Sequence, residues 1–458
     1  MLDKIKKFLP LIVLLAALPA LGLGCRNAVT AEPVTLEYWR VFDNSDALDE
    51  VINAYRARHP HVTINVTKIR FEEFEKELLE ALAEDRGPDM VSIHNTWIGE
   101  YQSKIAPLPS TTTVTEVTPR GGFGSDPVAE VITKKTTTPN DVSKNFIDVV
   151  AADVIRNDSA GKPQIWGLPL AVDTLVMFYN RDILNRSGVA TPPENWNDFL
   201  TSVGRITTLD QEGNILVGGA ALGTADNIPR FSDVLSVLMM QNGAIMTNAA
   251  NQATFHLIPS TFNSRSFVPG IEALRFYTDF AQPTKNAYGW NATMPDALEA
   301  FMQERVAYFF GYSYHIPTLR AQAPGLRWEV VPIPQADAQN NRQNFANYWV
   351  ETVMLKSEHQ NEAWDFIQFA TSAQQAPRYL DKTQKPTALR SLVTSQLENP
   401  TLQPFASQLL TAKSWYRGRD AAEAEAALAD MIDGTLLGEL EINDIVNTAV
   451  RRINETTR

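Results

Sequence analysis

The feature that most constrains the fold is an alternation of periodicities between residues 35 and 93. Thr35–Phe42 reads as a strand, after which Ser45 or Asp46 can cap a helix carrying Leu48, Val51, Ile52 and Tyr55 on one face until Pro60. Val62, Ile64 and Val66 alternate with polar residues as a second strand. Phe71, Phe74, Leu78 and Leu82 then recur at helical spacing up to Gly87-Pro88, and Met90–Ile93 is a third apolar run. Strand, helix, strand, helix, strand implies parallel strands joined by right-handed crossovers. Ligands of such α/β sheets bind beyond the carboxyl ends of the strands.

The chain is long enough, at 458 residues, for two or three domains. Its formal charge is −13 and no Lys/Arg stripe occurs, so nucleic acid is a poor partner. Residues 1–25 place three lysines before an apolar run from Phe8 to Leu23 and end on Gly24 and Cys25, the order of a secretory signal. Cys25 is the only cysteine and stands where cleavage would occur, which resembles a bacterial lipoprotein signal, although Gly22 occupies the place of the usual leucine. Lipidation at Cys25 leaves no thiol for a disulfide or a zinc–thiolate site. A tether is expected over 26–33. Residues 109–145 interrupt the periodicity with four prolines and nine threonines and read as an inserted loop or small hairpin. Beyond it, 271–280, 295–305, 362–370 and the C-terminal segments read as helices, and Val306–Phe310 as a buried strand.

Catalytic signatures are absent. There is no Gly-x-Gly-x-x-Gly, no phosphate-binding Gly-x-x-x-x-Gly-Lys-Ser/Thr and no His-Glu-x-x-His. Gly311-Tyr312-Ser313-Tyr314-His315 lacks the final glycine of a nucleophile elbow, and His59 and His61 have no neighbouring ligand cluster. No catalytic residue, metal or cofactor is therefore expected. Aromatic residues beside loop signals say more: Trp97, Tyr312, Tyr314, Trp349 and Trp415 fall just after strands or in polar stretches. Flat rings with polar handles suit the apolar faces of sugars, while the same rings also serve as ordinary core packing.

Five stretches, in this order, resemble the family 1 extracellular solute-binding proteins of ABC transporters, the group that includes maltodextrin-binding proteins. They are Val34-Thr-Leu-Glu-Tyr-Trp39, Gly87-Pro-Asp-Met-Val91, the segment Ile98 to Pro109, the segment Trp166-Gly-Leu-Pro through Tyr179-Asn-Arg-Asp182, and Val189-Ala-Thr-Pro-Pro-Glu-Asn-Trp196. Ala297–Met302, Gly311-Tyr312 and Glu362–Phe369 continue the likeness. Tyr312 stands where the family often has tryptophan.

The resemblance implies an α/β, two-lobed periplasmic-binding-protein-like fold of type II, with discontinuous lobes and a hinge. One lobe is expected from 34–172 plus 346–380, the other from 173–345 plus 381–458, with crossings near 171–174, 345–348 and 377–386. It also implies a small-molecule solute, above all a saccharide, held in the cleft by hinge closure. ABC permease subunits, a membrane reached through the lipid anchor and a monomeric state complete the expected partners. Site residues follow by position. Asp43 looks like the carboxylate that accepts hydroxyl protons, Asn95, Thr96 and Trp97 match the second cleft loop, and Asp173 lies at the first crossing. Tyr312 and Trp415 resemble the stacking aromatics, Trp349 lines the hinge or packs, and Arg417 is added for its guanidinium after Trp415. Two other readings stay open: a secreted glycoside hydrolase, and a binding or sensor protein without a transporter.

Overall fold

The structure, a computed structural model, describes residues 31–118, 128–263, 266–336 and 342–458. The signal segment, Cys25 and most of the tether lie outside the described residues. The first sheet has the order Val62–Lys68, Val34–Arg40, Met90–His94, Trp349–Met354, Ile105–Ala106. Its first three strands run parallel, as the crossover rule demands, and the last two pair antiparallel because Trp349–Met354 returns from the other half of the molecule. Helices Asp49–Arg56 and Phe71–Ala83 bury Val51, Ile52, Tyr55, Phe74 and Leu78 against this half. The first of them starts after a 3-10 turn, Ser45–Leu48, with no side-chain cap.

A second five-stranded sheet runs Thr208–Leu209, Ile215–Ala220, Val306–Gly311, Val176–Asn180, Trp328–Pro332. Val306–Gly311 is buried throughout, which is why its sequence is an unbroken apolar run. Around it pack helices Trp196–Ile206, Phe231–Gln241 and Pro269–Asp279, with Ala421–Leu437 and Ile442–Glu455 closing the lobe. The 109–145 segment is a hairpin, Thr111–Thr118 paired with Val128–Lys135, followed by helix Pro139–Asn145 under a capping box from Thr138. One face of the hairpin lies on helix Gln360–Ala370, where Lys134 pairs with Asp365 at 3.1 Å and with the buried Glu116 at 2.5 Å.

Two separate apolar cores result, one per lobe. Between them stands a three-stranded crossing, Ala412–Lys413, Asn344–Asn347 and Asp173–Thr174, in that order. The crossing strands lie at 173–174, 344–347 and 412–413, the last of them well past the 377–386 that the resemblance implied. Ala388, Leu389, Val393, Leu409 and Ala412 are buried in the first core, so a second lobe drawn from 381 includes a segment that packs with the first. The backbone agrees, with Ile147 N–H donating to the Ala388 carbonyl and Val172 N–H to that of Pro386. Pro377, at the start of the stretch where the resemblance placed the third crossing, sits in the first turn of helix Ala376–Thr383, where a missing N–H costs nothing.

Gly167 shows how tightly the chain passes strand Trp349–Met354 of the first sheet. A Cβ there would stand 2.3 Å from Val350 Cγ1 and 2.9 Å from the Glu351 carbonyl. Gly167→Ala should therefore destabilise the protein by about 1–3 kcal/mol, seen in urea unfolding as a lower midpoint at unchanged slope.

Candidate functional site

The carboxyl ends of the first sheet and the start of the crossing face a cavity of about 1050 Å³ between the lobes. Strand Val34–Arg40 delivers Arg40, Phe42 and Asp43 to it. Asp43 adopts φ 69°, a left-handed conformation that aspartate tolerates better than most residues. Its carboxylate accepts from Lys385 Nζ at 2.5 Å and the Tyr379 hydroxyl at 2.7 Å, with Arg40 at 3.4 Å. Arg40 in turn lies 3.5 Å from the buried Glu351, which also accepts from the Tyr38 hydroxyl. Burial alone would raise the Asp43 pKa, but Lys385 and then Arg40 outweigh it and hold the carboxyl down at about 2.

A second polar chain runs from one lobe to the other. Burial pushes the His94 imidazole down to about 4, so it is neutral at pH 7. Its Nε2 lies 3.2 Å from Asn347 Oδ1 and its Nδ1 2.8 Å from the Thr96 hydroxyl, an arrangement satisfied with the proton on Nε2. Asn347 donates onward to Asp233 at 3.3 Å, which also takes two bonds from Arg230 and one from the Tyr312 hydroxyl at 2.6 Å. Asp173, at the first crossing, accepts from Ser313 N–H at 2.8 Å and the Ser313 hydroxyl at 2.5 Å. Burial lifts its pKa to about 7 against those hydrogen bonds.

Aromatic rings cover the remaining wall. Trp349 stands opposite His94 in the strand pairing and meets Trp97 edge-on at 5.4 Å and Phe42 at 5.3 Å. Trp97 stacks on Phe71 at 5.9 Å. Four rings, Phe71, Phe42, Tyr314 and Tyr312, follow one another with centroids 6.2, 6.3 and 5.7 Å apart and planes within 16°, 6° and 19° of parallel. Across the cleft, Trp415 lines the cavity with its indole N–H bonded to Ser236 at 2.9 Å.

Of the residues singled out from sequence, Asp43, Asn95, Thr96, Trp97, Asp173, Trp349 and Trp415 line this one cavity. Two do not. Tyr312 is fully buried behind the wall, its hydroxyl committed to Asp233, and Tyr314 takes the exposed place two residues on. Arg417 turns away to Asp153 at 3.6 Å, and its carbonyl accepts from Arg156. Asp153 gathers Asn95, Tyr348 and Ser414 as well, so it draws Arg417 under the crossing. Sequence reading missed Phe42, Phe71, Arg230, Asp233 and Lys385. The helical stripe made Phe71 look like core, and Lys385 lies far from its partner Asp43 in sequence. Among the described residues no cluster of His, Cys, Asp and Glu could hold a metal, and no helix is long and apolar enough to cross a membrane.

The Asp43 network carries a pH signature. Its folded pKa is depressed below the usual carboxylate value of about 3.9, so its contribution is complete above about pH 4 and lost as pH falls through about 2. Asp43→Asn should lower stability by about 3–5 kcal/mol at pH 7 and flatten the acid limb of a chemical-denaturation series run from pH 6 to 2.

Comparison with known proteins agrees with this architecture. Residues 43–377 match the model of the bacterial extracellular solute-binding protein family. The multiple sugar-binding protein of Streptococcus mutans is 23% identical over 261 residues, 57% of this chain and 59% of that protein's length. Among solved structures, a cyclo/maltodextrin-binding protein complexed with maltotetraose superposes with TM-score 0.68 at 15% identity, over 93% of this chain and 98% of the other. The cyclic α-maltosyl-1,6-maltose binding protein of Arthrobacter globiformis gives 0.68 at 17% identity, over 93% and 99%. These likenesses establish the two-lobed fold, and with the family match covering most of its length, the chain belongs to the bacterial extracellular solute-binding protein family.

Proposed function

We propose that this protein is the extracytoplasmic receptor of an ABC importer and binds a neutral sugar or oligosaccharide between its lobes, without catalysis. The observation that carries this reading is the cavity wall: ring faces from Phe42, Phe71, Trp97, Tyr314 and Trp349 beside charged groups that already pair with one another. Among the described residues lining it, six are cationic and six anionic. Asp43 is matched by Lys385 and Arg40, Asp46 by Lys382, and Asp233 by Arg230. Such a wall offers hydrogen bonds and apolar faces beside charges that are largely matched by one another. The cavity's size suits a ligand of several sugar units.

Binding would favour the closed lobe arrangement to the extent that closure improves contacts with the ligand. The closed surface is then what permease subunits distinguish from the open one. Cys25, lipidated, would tether a monomeric receptor to the outer face of the cell membrane. The maltodextrin-binding and sugar-binding relatives support a saccharide by analogy.

Isothermal calorimetry of the purified protein against maltotriose, cellotriose and a panel of amino acids and polyamines tests the reading. A saccharide should bind and be recovered chemically unchanged. At 100 times its dissociation constant it should add about 2.7 kcal/mol to stability. Trp349→Ala should weaken it at least tenfold. Cleavage of the sugar, or binding confined to a charged solute, would refute the proposal.

A further inference from the structure

Six acidic side chains line the interlobe cavity: Asp43, Asp46, Asp173, Asp233, Glu351 and Glu425. Five of them have a cation within ion-pair distance, Lys385 and Arg40 at Asp43, Lys382 at Asp46, Arg40 at Glu351, and Arg230 at both Asp233 and Glu425. Among the described residues Asp173 has none. It also stands in the hinge itself, in the strand Asp173–Thr174 that pairs with Asn344–Asn347. One carboxylate oxygen accepts the Thr174 N–H at 2.9 Å, and the other accepts the N–H and the hydroxyl of Ser313 at 2.8 and 2.5 Å. Ser313 begins the turn past strand Val306–Gly311 of the second lobe, and the next residue, Tyr314, sets its ring on Phe42 of the first lobe with centroids 6.3 Å apart. The carboxylate therefore holds a turn that touches both lobes.

We infer that Asp173 is a proton-sensitive joint between the lobes, its neutral form favouring the closed arrangement and its ionised form the open one. The elements packed on it bring little to offset the charge. Strand Asn344–Asn347 and helix Gln403–Ala406 contain no charged residue. The segment after helix Ala376–Thr383 brings Lys385, whose ammonium is bonded to Asp43, and the turn brings Tyr314, whose phenol burial keeps neutral. Burial accordingly dominates and lifts the Asp173 carboxyl to about 7, against the Ser313 and Thr174 hydrogen bonds and the more distant Lys385. Parting the lobes returns water to the cavity wall and favours the charged form, whereas drawing them together removes that water and favours the neutral acid. By linkage, the drier arrangement binds the proton more tightly, so acid populates it and rising pH depopulates it. Asp43, held down at about 2 by its cations, keeps its charge throughout this range. The joint goes beyond the receptor reading, because it needs no particular ligand.

Small-angle X-ray scattering of the purified protein between about pH 5.5 and 8.5, with no ligand added, reads the lobe arrangement directly. The radius of gyration should rise with pH around a midpoint of about 7. Asp173→Asn, which approximates the neutral acid, should hold the low-pH radius at every pH. Ser313→Ala removes one hydrogen bond to the ionised form and should move the midpoint upward, a second readout should the Asn variant fold poorly. Glu100 is another carboxyl raised to about 7, by burial and then by Glu75, with Asp420 adding to it from the second lobe. Glu100→Gln should leave the response in place. A radius that ignores pH, one that falls as pH rises, a response retained by Asp173→Asn or lost in Glu100→Gln, or a midpoint unmoved by Ser313→Ala would overturn the joint. None of these outcomes bears on whether a saccharide binds, so the joint and the receptor reading fail separately.

Discussion

Everything else in this molecule depends on the hydrogen-bonded crossing of three chain segments, Asp173–Thr174, Asn344–Asn347 and Ala412–Lys413. Each lobe buries its own core, so either could move as a unit, and only these paired backbones and the side chains around them fix the relation of one to the other. Short paired strands resist shear yet tolerate rotation, because small dihedral changes at their ends swing a whole lobe. The cleft residues sit within a few positions of these strands: Asp173 inside one, Asn347 ending another, Ser414 and Trp415 just past the third. Moving the hinge therefore moves the site directly.

The polar groups nearest the hinge are buried, and buried charge is costly unless matched. Here the matching is thorough: Arg40 with Glu351 and Asp43, Lys385 with Asp43, Arg230 with Asp233. Such networks lend rigidity to the walls more than they lend net stability. His94, neutral and bonded on both nitrogens, extends the same logic from the first lobe through Asn347 to Asp233 in the second. Asp173, at the first crossing, sits near the middle of its titration at neutral pH, with burial as the dominant influence.

Much of this was readable from sequence because periodicity reports burial directly. The strand–helix alternation over residues 35–93, the apolar strand from Val306 and most of the amphipathic helices are present, while the helix expected over 295–305 is shortened to Ala297–Met302 and the first helix lacks the expected side-chain cap. The third crossing was not readable, because only tertiary packing shows that Ala388, Leu389, Val393, Leu409 and Ala412 join the first core while Phe405, between them, joins the second. Choosing between Tyr312 and Tyr314 fails for a related reason. Past the strand end at Gly311 the two-residue alternation no longer applies, and the turn decides which ring enters the cleft. Arg417 lies two residues from a cleft tryptophan but is captured by Asp153, a partner no local pattern reveals.

The same packing explains why ring faces, and not charges, are left to do the selecting. A carboxylate held by Lys385, Arg40 and Tyr379 can accept a hydroxyl proton only by sharing lone pairs already engaged, so its contact with a ligand replaces little and distinguishes little. Phe42 and Tyr314, stacked on neighbouring rings, still keep apolar surface open to solvent. Covering them gains the free energy of removing apolar surface from water, and that gain falls wherever a hydroxyl intrudes. For the saccharide proposed above, discrimination would accordingly follow the shape of the ligand's apolar faces, with the paired charges setting the walls of the cleft.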